Sequence, residues 1–185
     1  MSQFISPDNV NLLGDLDFNF PEGTHAVGRL DNNSEGLLIL TTDKRVTKLL
    51  FQSQIPHKRT YWVQVEKKVG EEALRKLRTG IPIRISGDVY HTTVECEVDI
   101  IERPFNLHPR EHEYRLDLPQ TWLKITLTEG KFHQIRKMVS SVYHDCKRLI
   151  RVSIEDLELG DMKPGEVREI EQKEFFKLLH IDGVE

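Results

Sequence analysis

Three stretches of the chain read with the period-two spacing of strands that bury one face: residues 60–66 (TYWVQVE), 89–101 and 122–127 (WLKITL). In the second, Val94, Cys96, Val98 and Ile100 fall on one side. Residues 36–42 (GLLILTT) form a continuous apolar run of strand length. They lead into a short helical stretch from Asp43 to about Gln52 that Thr42 or Asp43 is placed to cap. A second helix is predicted over Glu71–Thr79, ended by Gly80 at a site suited to a left-handed cap, with a strand signal at Pro82. A third runs from about Phe132 to Tyr143, where Phe132, Ile135, Met138, Val139 and Val142 make one apolar stripe. Its other face carries Lys131, His133, Arg136 and Lys137. A last helix, residues 172–180, brings Phe175, Phe176, Leu178 and Leu179 to the core. Residues 103–118 are polar, hold two prolines and show no period, so they are expected to form a long loop. The order of elements is mixed and hairpin-like, which predicts an α+β fold with a mostly antiparallel sheet in a single domain.

Composition narrows the classes. With 185 residues, 38% hydrophobic, 30% charged, 11 Gly and 8 Pro, the chain is that of a globular protein able to bury a core. No apolar run approaches the roughly 20 residues of a membrane span, and the first residues lack the basic and apolar regions of a signal peptide. A cytoplasmic protein is expected. Cys96 and Cys146 are too few for a disulfide framework and lack neighbours at metal-ligand spacing, so both read as reduced thiols and no metal is expected.

The net charge of −4 argues at first against a polyanionic partner, but it is unevenly spread. Lys and Arg against Asp and Glu number 12 to 15 over residues 1–102, 10 to 5 over 103–151 and 4 to 10 over 152–185. The basic middle segment also holds His108, His112, His133 and His144. A basic face on an acidic protein and simple solvated charge are both consistent with these counts.

Three short segments carry candidate chemistry. Residues 28–36 (GRLDNNSEG) form a polar turn between apolar neighbours. Asx turns and a Ser34 cap explain its Asp, Asn, Ser and Gly structurally, but not why Arg29 and Asp31 stand two apart just before a strand. Asp31 with Glu35 also fits a paired-carboxylate site by spacing, with nothing else to support a glycosidase. In residues 129–138 (EGKFHQIRKM) a strand turns through Gly130 into the basic-faced helix, and a helix N-terminus beside cations suits an anion. In residues 58–62 (KRTYW), two cations precede two aromatics, the pairing that holds an unpaired nucleotide; core packing explains Trp62 as well, and Tyr61 fits either role. Walker, G-x-G-x-x-G, H-E-x-x-H and G-x-S-x-G patterns do not occur. His108, Arg110 and His112 alternate without a third ligand.

Together these segments resemble the RsuA-type pseudouridine synthases, most closely the branch of large-subunit ribosomal RNA synthase E. The family's G-R-L-D-x-x-S/T-x-G-L-L motif is met at residues 28–38, its basic-then-tyrosine motif at 58–61, its E-G-x-x-x-Q-I/V-R/K-x-M motif at 129–138, and its R-L-I-R segment at 148–151. The strand 121–127 (TWLKITL) looks like the one leading to the third motif in that branch. The resemblance spans about residues 25–170. It implies isomerisation of a specific uridine in 23S ribosomal RNA, with no cofactor, by a monomer acting in the cytoplasm. It makes Asp31 the catalytic residue, with Arg136 holding its carboxylate ionised, Tyr61 packing on the uracil, Arg29 filling the gap left by the flipped base, and Leu149 lining the pocket. RNA contact is expected from Lys58, Arg59, Lys131, His133, Lys137, Arg148 and Arg151. The alternative on the same fold is a non-catalytic RNA-binding or ribosome-assembly protein. The family's S4 domain has no room here, as in the synthase E branch, and the family's opening strand has no counterpart before Gln3, so the chain is expected to lack its first strand.

Overall fold

The computed structural model describes residues 3–6, 11–51 and 55–181. Its central sheet is built on three long strands, β4 (Arg59–Glu66), β8 (Gln120–Leu127) and β9 (Cys146–Ile154). With β7 (Glu97–Ile101) at one edge and β10 (Leu157–Glu158) at the other, the order is β10-β9-β4-β8-β7, and all these neighbours are antiparallel. The one parallel pairing sets the two-residue β2 (Glu35–Gly36) against β9. Small ribbons flank the sheet: β1 (His25–Val27) with β3 (Ile39–Thr41), and β5 (Pro82–Ser86) with β6 (Val89–Thr92). The architecture is α+β, with a mostly antiparallel sheet and flanking helices, as the patterning predicts.

Apolar side chains collect into two clusters. The first joins Val63, Val65, Leu123, Ile125 and Leu149 of the sheet to Leu74 and Leu77 of α2 (Glu71–Thr79) and to Ile135, Met138 and Val139 of α3 (Gln134–Ser141). The second joins Val27, Ile39 and Ile154 to Val46 and Leu50 of α1 (Arg45–Phe51) and Phe176 of α4 (Gln172–Leu178). Strand β9 serves both, with Leu149 in one and Ile154 in the other. Each cluster supports one side of the seam at which the motif segments meet.

Several expectations change in detail. Asp43 caps α1, its Oδ1 accepting the Arg45 N–H at 2.9 Å; the expected last residue, Gln52, lies outside the described residues. The predicted strand over 89–101 is two strands in two sheets. Between them Thr93 exchanges hydrogen bonds with Ile81, donating N–H to its carbonyl and accepting its N–H on Oγ1 (both 3.0 Å), which turns the chain from the β5 ribbon toward the central sheet. Val98 is buried, but Val94 and Ile100 are exposed. Gly80 ends α2 with φ 99° and ψ 137°, outside the left-handed helical region; a Cβ there would lie 2.5 Å from the Thr93 carbonyl oxygen, and that close approach is what requires glycine. Trp62 is half-buried and belongs to neither cluster, whereas Tyr61 packs against the first. Helix α3 begins only at Gln134, leaving Phe132 in the preceding turn, 71% exposed. Residues 102–119 are the irregular loop expected, and among the described residues no strand precedes β1.

Candidate active site

The turn between β1 and β2 carries Asp31. Its backbone carbonyl accepts the Ser34 N–H at 2.9 Å, closing the turn. Across the seam stands α3, and Arg136 on its first turn reaches over: Nη2 donates to the Asn33 carbonyl at 2.7 Å and to Ser34 Oγ at 3.3 Å, while Nη1 donates to the Cys146 carbonyl at 3.4 Å. Arg136 thus fastens the loop bearing Asp31 to β9 through its backbone. The carboxylate itself faces His133, whose Nε2 lies 3.4 Å from Oδ1, with the Asp31 side chain 27% exposed.

The turn that presents His133 is braced from below. Glu129 Oε1 accepts the Val94 N–H at 2.9 Å and Gln134 Nε2 at 2.8 Å, and Oε2 pairs with His91 Nε2 at 2.8 Å. Burial pushes the Glu129 carboxyl up, but the bonds from Val94, His91 and Gln134 outweigh it and hold the group below the usual carboxylate range. Gln134 closes the turn in return, its Oε1 accepting the Lys131 N–H at 2.8 Å.

Tyr61 and Leu149 lie on the sheet floor of the first cluster, Tyr61 opposite Arg151 and Leu149 opposite Val63. Arg29 is exposed and donates from Nη2 to Gln3 Oε1 at 3.2 Å. Lys58 is exposed and pairs with Glu97 at 3.0 Å; Lys131 is exposed and Lys137 half-buried, its Nζ 5.3 Å from the Phe132 ring centre. Cys146, beside Arg136, is mostly buried, and that burial pushes its thiol up to about 11. The thiol is therefore protonated near neutral pH.

Three cations expected on RNA are inside instead. Arg148 is 1% exposed: Nε and Nη2 fork onto Glu35 at 2.9 and 2.7 Å, Nη1 meets Glu113 at 3.1 Å, and Nη2 also donates to the His108 carbonyl at 2.7 Å. Arg151, 3% exposed, donates Nε to the Leu37 carbonyl at 2.8 Å. Arg59, 8% exposed, lies against the Phe51 ring at 5.4 Å, and burial pushes its guanidinium below its ordinary value. All three stand on strands of the central sheet, where internal carbonyls, carboxylates and a ring receive the guanidiniums. The same contacts remove Glu35 from the paired-carboxylate reading, since Arg148 and Arg110 both hold it. Sequence reasoning missed the His91–Glu129 pair and the Arg110–Glu35 contact, which join residues 38 and 75 positions apart.

Asp31, a carboxylate that no arginine holds, thus sits on a turn pinned by Arg136, with a basic-faced helix across from it and Tyr61 on the sheet. The description "RNA pseudouridylate synthase" fits residues 15–141 as a family model. The chain belongs to that family. As a pseudouridine synthase it is an isomerase. It is 36% identical over 174 residues to a ribosomal large subunit pseudouridine synthase E of Vibrio parahaemolyticus, covering 92% of this chain and 69% of that one. A protein of the same description from Xanthomonas axonopodis is 35% identical over 150 residues, covering 80% and 76%. A crystal structure of a pseudouridylate synthase superposes with a TM-score of 0.69 at 25% identity, over 87% of this chain and 63% of that one. A Cbf5-Nop10-Gar1 complex aligns at a TM-score of 0.51 and 15% identity, over 74% of this chain and 42% of that one, a likeness of fold alone.

Proposed function

We propose that this chain converts a uridine of large-subunit ribosomal RNA in the cytoplasm to pseudouridine, with Asp31 as the catalytic residue. The observation that carries the reading is the contrast between the two acids of one motif. Glu35 is held by two arginines, whereas Asp31 faces the seam on a loop that Arg136 fixes by its backbone. The reaction is an isomerisation: the N1–C1′ bond breaks, the uracil turns in the pocket, the C5–C1′ bond forms, the C5 proton leaves and N1 gains one. One ionised carboxylate suffices to attack the nucleotide or promote cleavage. In this reading Tyr61 packs on the uracil, Leu149 lines the pocket, Arg29 occupies the gap left by the extruded nucleotide, and Lys58, Lys131 and Lys137 contact phosphates. Arg136 serves by fixing the loop. The relatives named for large-subunit ribosomal RNA support the substrate.

Tritium release from 5-tritiated uridine in ribosomal RNA tests the proposal. Asp31→Asn should lose release by several orders of magnitude while keeping the wild-type Tm and RNA affinity. Release retained in that variant would sink the role of Asp31. Its absence from the wild-type protein would favour a non-catalytic RNA-binding role. Reverse-transcription stops after carbodiimide treatment would then locate the modified position.

A further inference from the structure

Resting on the function just proposed, we infer that Phe132 is a base-stacking residue, whose ring receives an unpaired RNA base adjoining the uridine that Asp31 acts on. The motif at residues 129–138 specifies no residue at 132, so the ring is a feature of this chain and not of the motif. Its spacing suits the apolar stripe of α3, yet it lies outside the helix and is 71% exposed. The cause is His133, whose left-handed backbone (φ 54°, ψ 32°) turns the chain just before α3, so that Phe132 does not continue the row of Ile135 and Val139.

Exposed apolar side chains taken singly mean little. Three features set this one apart. Its ring is held, stacked on the His133 imidazole with centroids 3.9 Å apart and planes 18° from parallel. Gln134 fixes the turn beneath, its Oε1 accepting the Lys131 N–H and its Nε2 donating to Glu129, both at 2.8 Å. A surface ordered in advance loses little entropy when a base settles on it. A ring covered on both faces could not stay 71% exposed, so one face is open.

The second feature is place. The imidazole that stacks on Phe132 has its Nε2 3.4 Å from Asp31 Oδ1, so a single ring separates Phe132 from the Asp31 carboxylate. The third is charge: Lys131 adjoins Phe132 in the chain, and Lys137 Nζ lies 5.3 Å from its ring centre. An aromatic beside cations holds an unpaired nucleotide by its base on the ring and its phosphate on the ammonium. The exposed rings of Tyr90, Phe105 and Tyr143 have no such company; among the described residues none of them has a ring or a cation against it. Extruding a uridine leaves its neighbours without a stacking partner, and Phe132 supplies one, offsetting part of the cost of extrusion.

The experiment measures filter binding of a large-subunit ribosomal RNA transcript across a salt series, with Tm and the KM for tritium release, for the wild-type protein, Phe132→Ala, Phe132→Leu and Phe132→Trp. Loss of one base stack should weaken binding by Phe132→Ala about 5- to 150-fold, raise KM with it and leave Tm unchanged. The slope of log affinity against log salt should not move, because a ring releases no counterion. Leucine, apolar but without a π face, should recover little. Phe132→Trp should bind like the wild type, and RNA should quench its emission beyond the quenching of Trp62 and Trp122 in the wild type. Unchanged affinity in Phe132→Ala overturns the inference, and so does wild-type affinity in Phe132→Leu or the absence of extra quenching in Phe132→Trp. A reduced salt slope in Phe132→Ala also overturns it, since the loss would then act through Lys131 and Lys137. Filter binding needs no turnover, so a wild-type protein that binds RNA but releases no tritium overturns the proposed catalysis and is told apart from a failure of stacking.

Discussion

Removing the Arg148 side chain would take the buried guanidinium from two carboxylates, leaving Glu113 without it and Glu35 with Arg110 alone at 3.5 Å. Loss of one member of a fully buried pair costs about 3–5 kcal/mol. Both acids here keep partial access to water, 33% and 39% by side chain, so the screened figure for Arg148→Ala is about 2 kcal/mol. Arg148→Lys, which keeps the charge but not the planar fork, should fall between that variant and the wild type in urea-unfolding midpoint. The sequence does not announce this role. A cation beside Leu149 and Ile150 in a basic segment reads by default as exposed, and its partner Glu35 stands 113 positions earlier. The turn that carries Asp31 was legible because its motif is local: the cation, acid, amides and glycines that define it lie within nine residues. His133 was legible as a cation but not as the partner of Asp31, since their contact joins two motifs that only the fold brings together.

At the scale of elements, the two-residue strand β2 decides where the Asp31 turn ends. Gly36 sits opposite Arg151 in the parallel pairing with φ 103°, and a Cβ there would lie 2.2 Å from the Arg151 carbonyl oxygen and 2.7 Å from its nitrogen. Leu37 donates its N–H to that carbonyl at 2.8 Å, and Arg151 Nε returns a bond to the Leu37 carbonyl at 2.8 Å. Neither backbone can retreat without breaking this exchange. Gly36→Ala should therefore cost about 3 kcal/mol from left-handed strain together with overpacking. Turnover should be lost as well, because Asp31 lies five residues upstream; a melting curve close to the wild type would contradict the argument. Helices α2 and α4 were legible from apolar spacing because one face of each is buried locally. The break between β6 and β7 was not, since the polar and apolar alternation runs on through Thr93 while hydrogen bonds to Ile81 redirect the chain. Period alone cannot report a change of sheet.

Over the whole molecule, the basic excess of residues 103–151 has a more specific meaning than its count. Of its ten Lys and Arg residues, Arg110, Arg115, Lys147 and Arg148 hold carboxylates, and Arg136 and Arg151 hold backbone carbonyls. Among the described residues that leaves Arg103, Lys124, Lys131 and Lys137 without a carboxylate partner. Two of these, Lys131 and Lys137, flank His133 on the turn and helix that face Asp31. RNA affinity should thus depend on few cations set close to the seam, and not on the net charge of −4. Each single-stranded phosphate contact contributes about 0.7 to the slope of log affinity against log salt concentration. The double variant Lys131→Ala/Lys137→Ala should then reduce that slope by about 1.4 and weaken binding most at low salt. Arg115→Ala, whose cation is paired with Asp117 in the loop before β8, should leave the slope unchanged. Filter-binding titrations at a series of salt concentrations read both. An equal slope in the double variant and the wild type would mean that RNA docks on another face, because a contact that releases no counterion when its cation is removed was not a contact with phosphate.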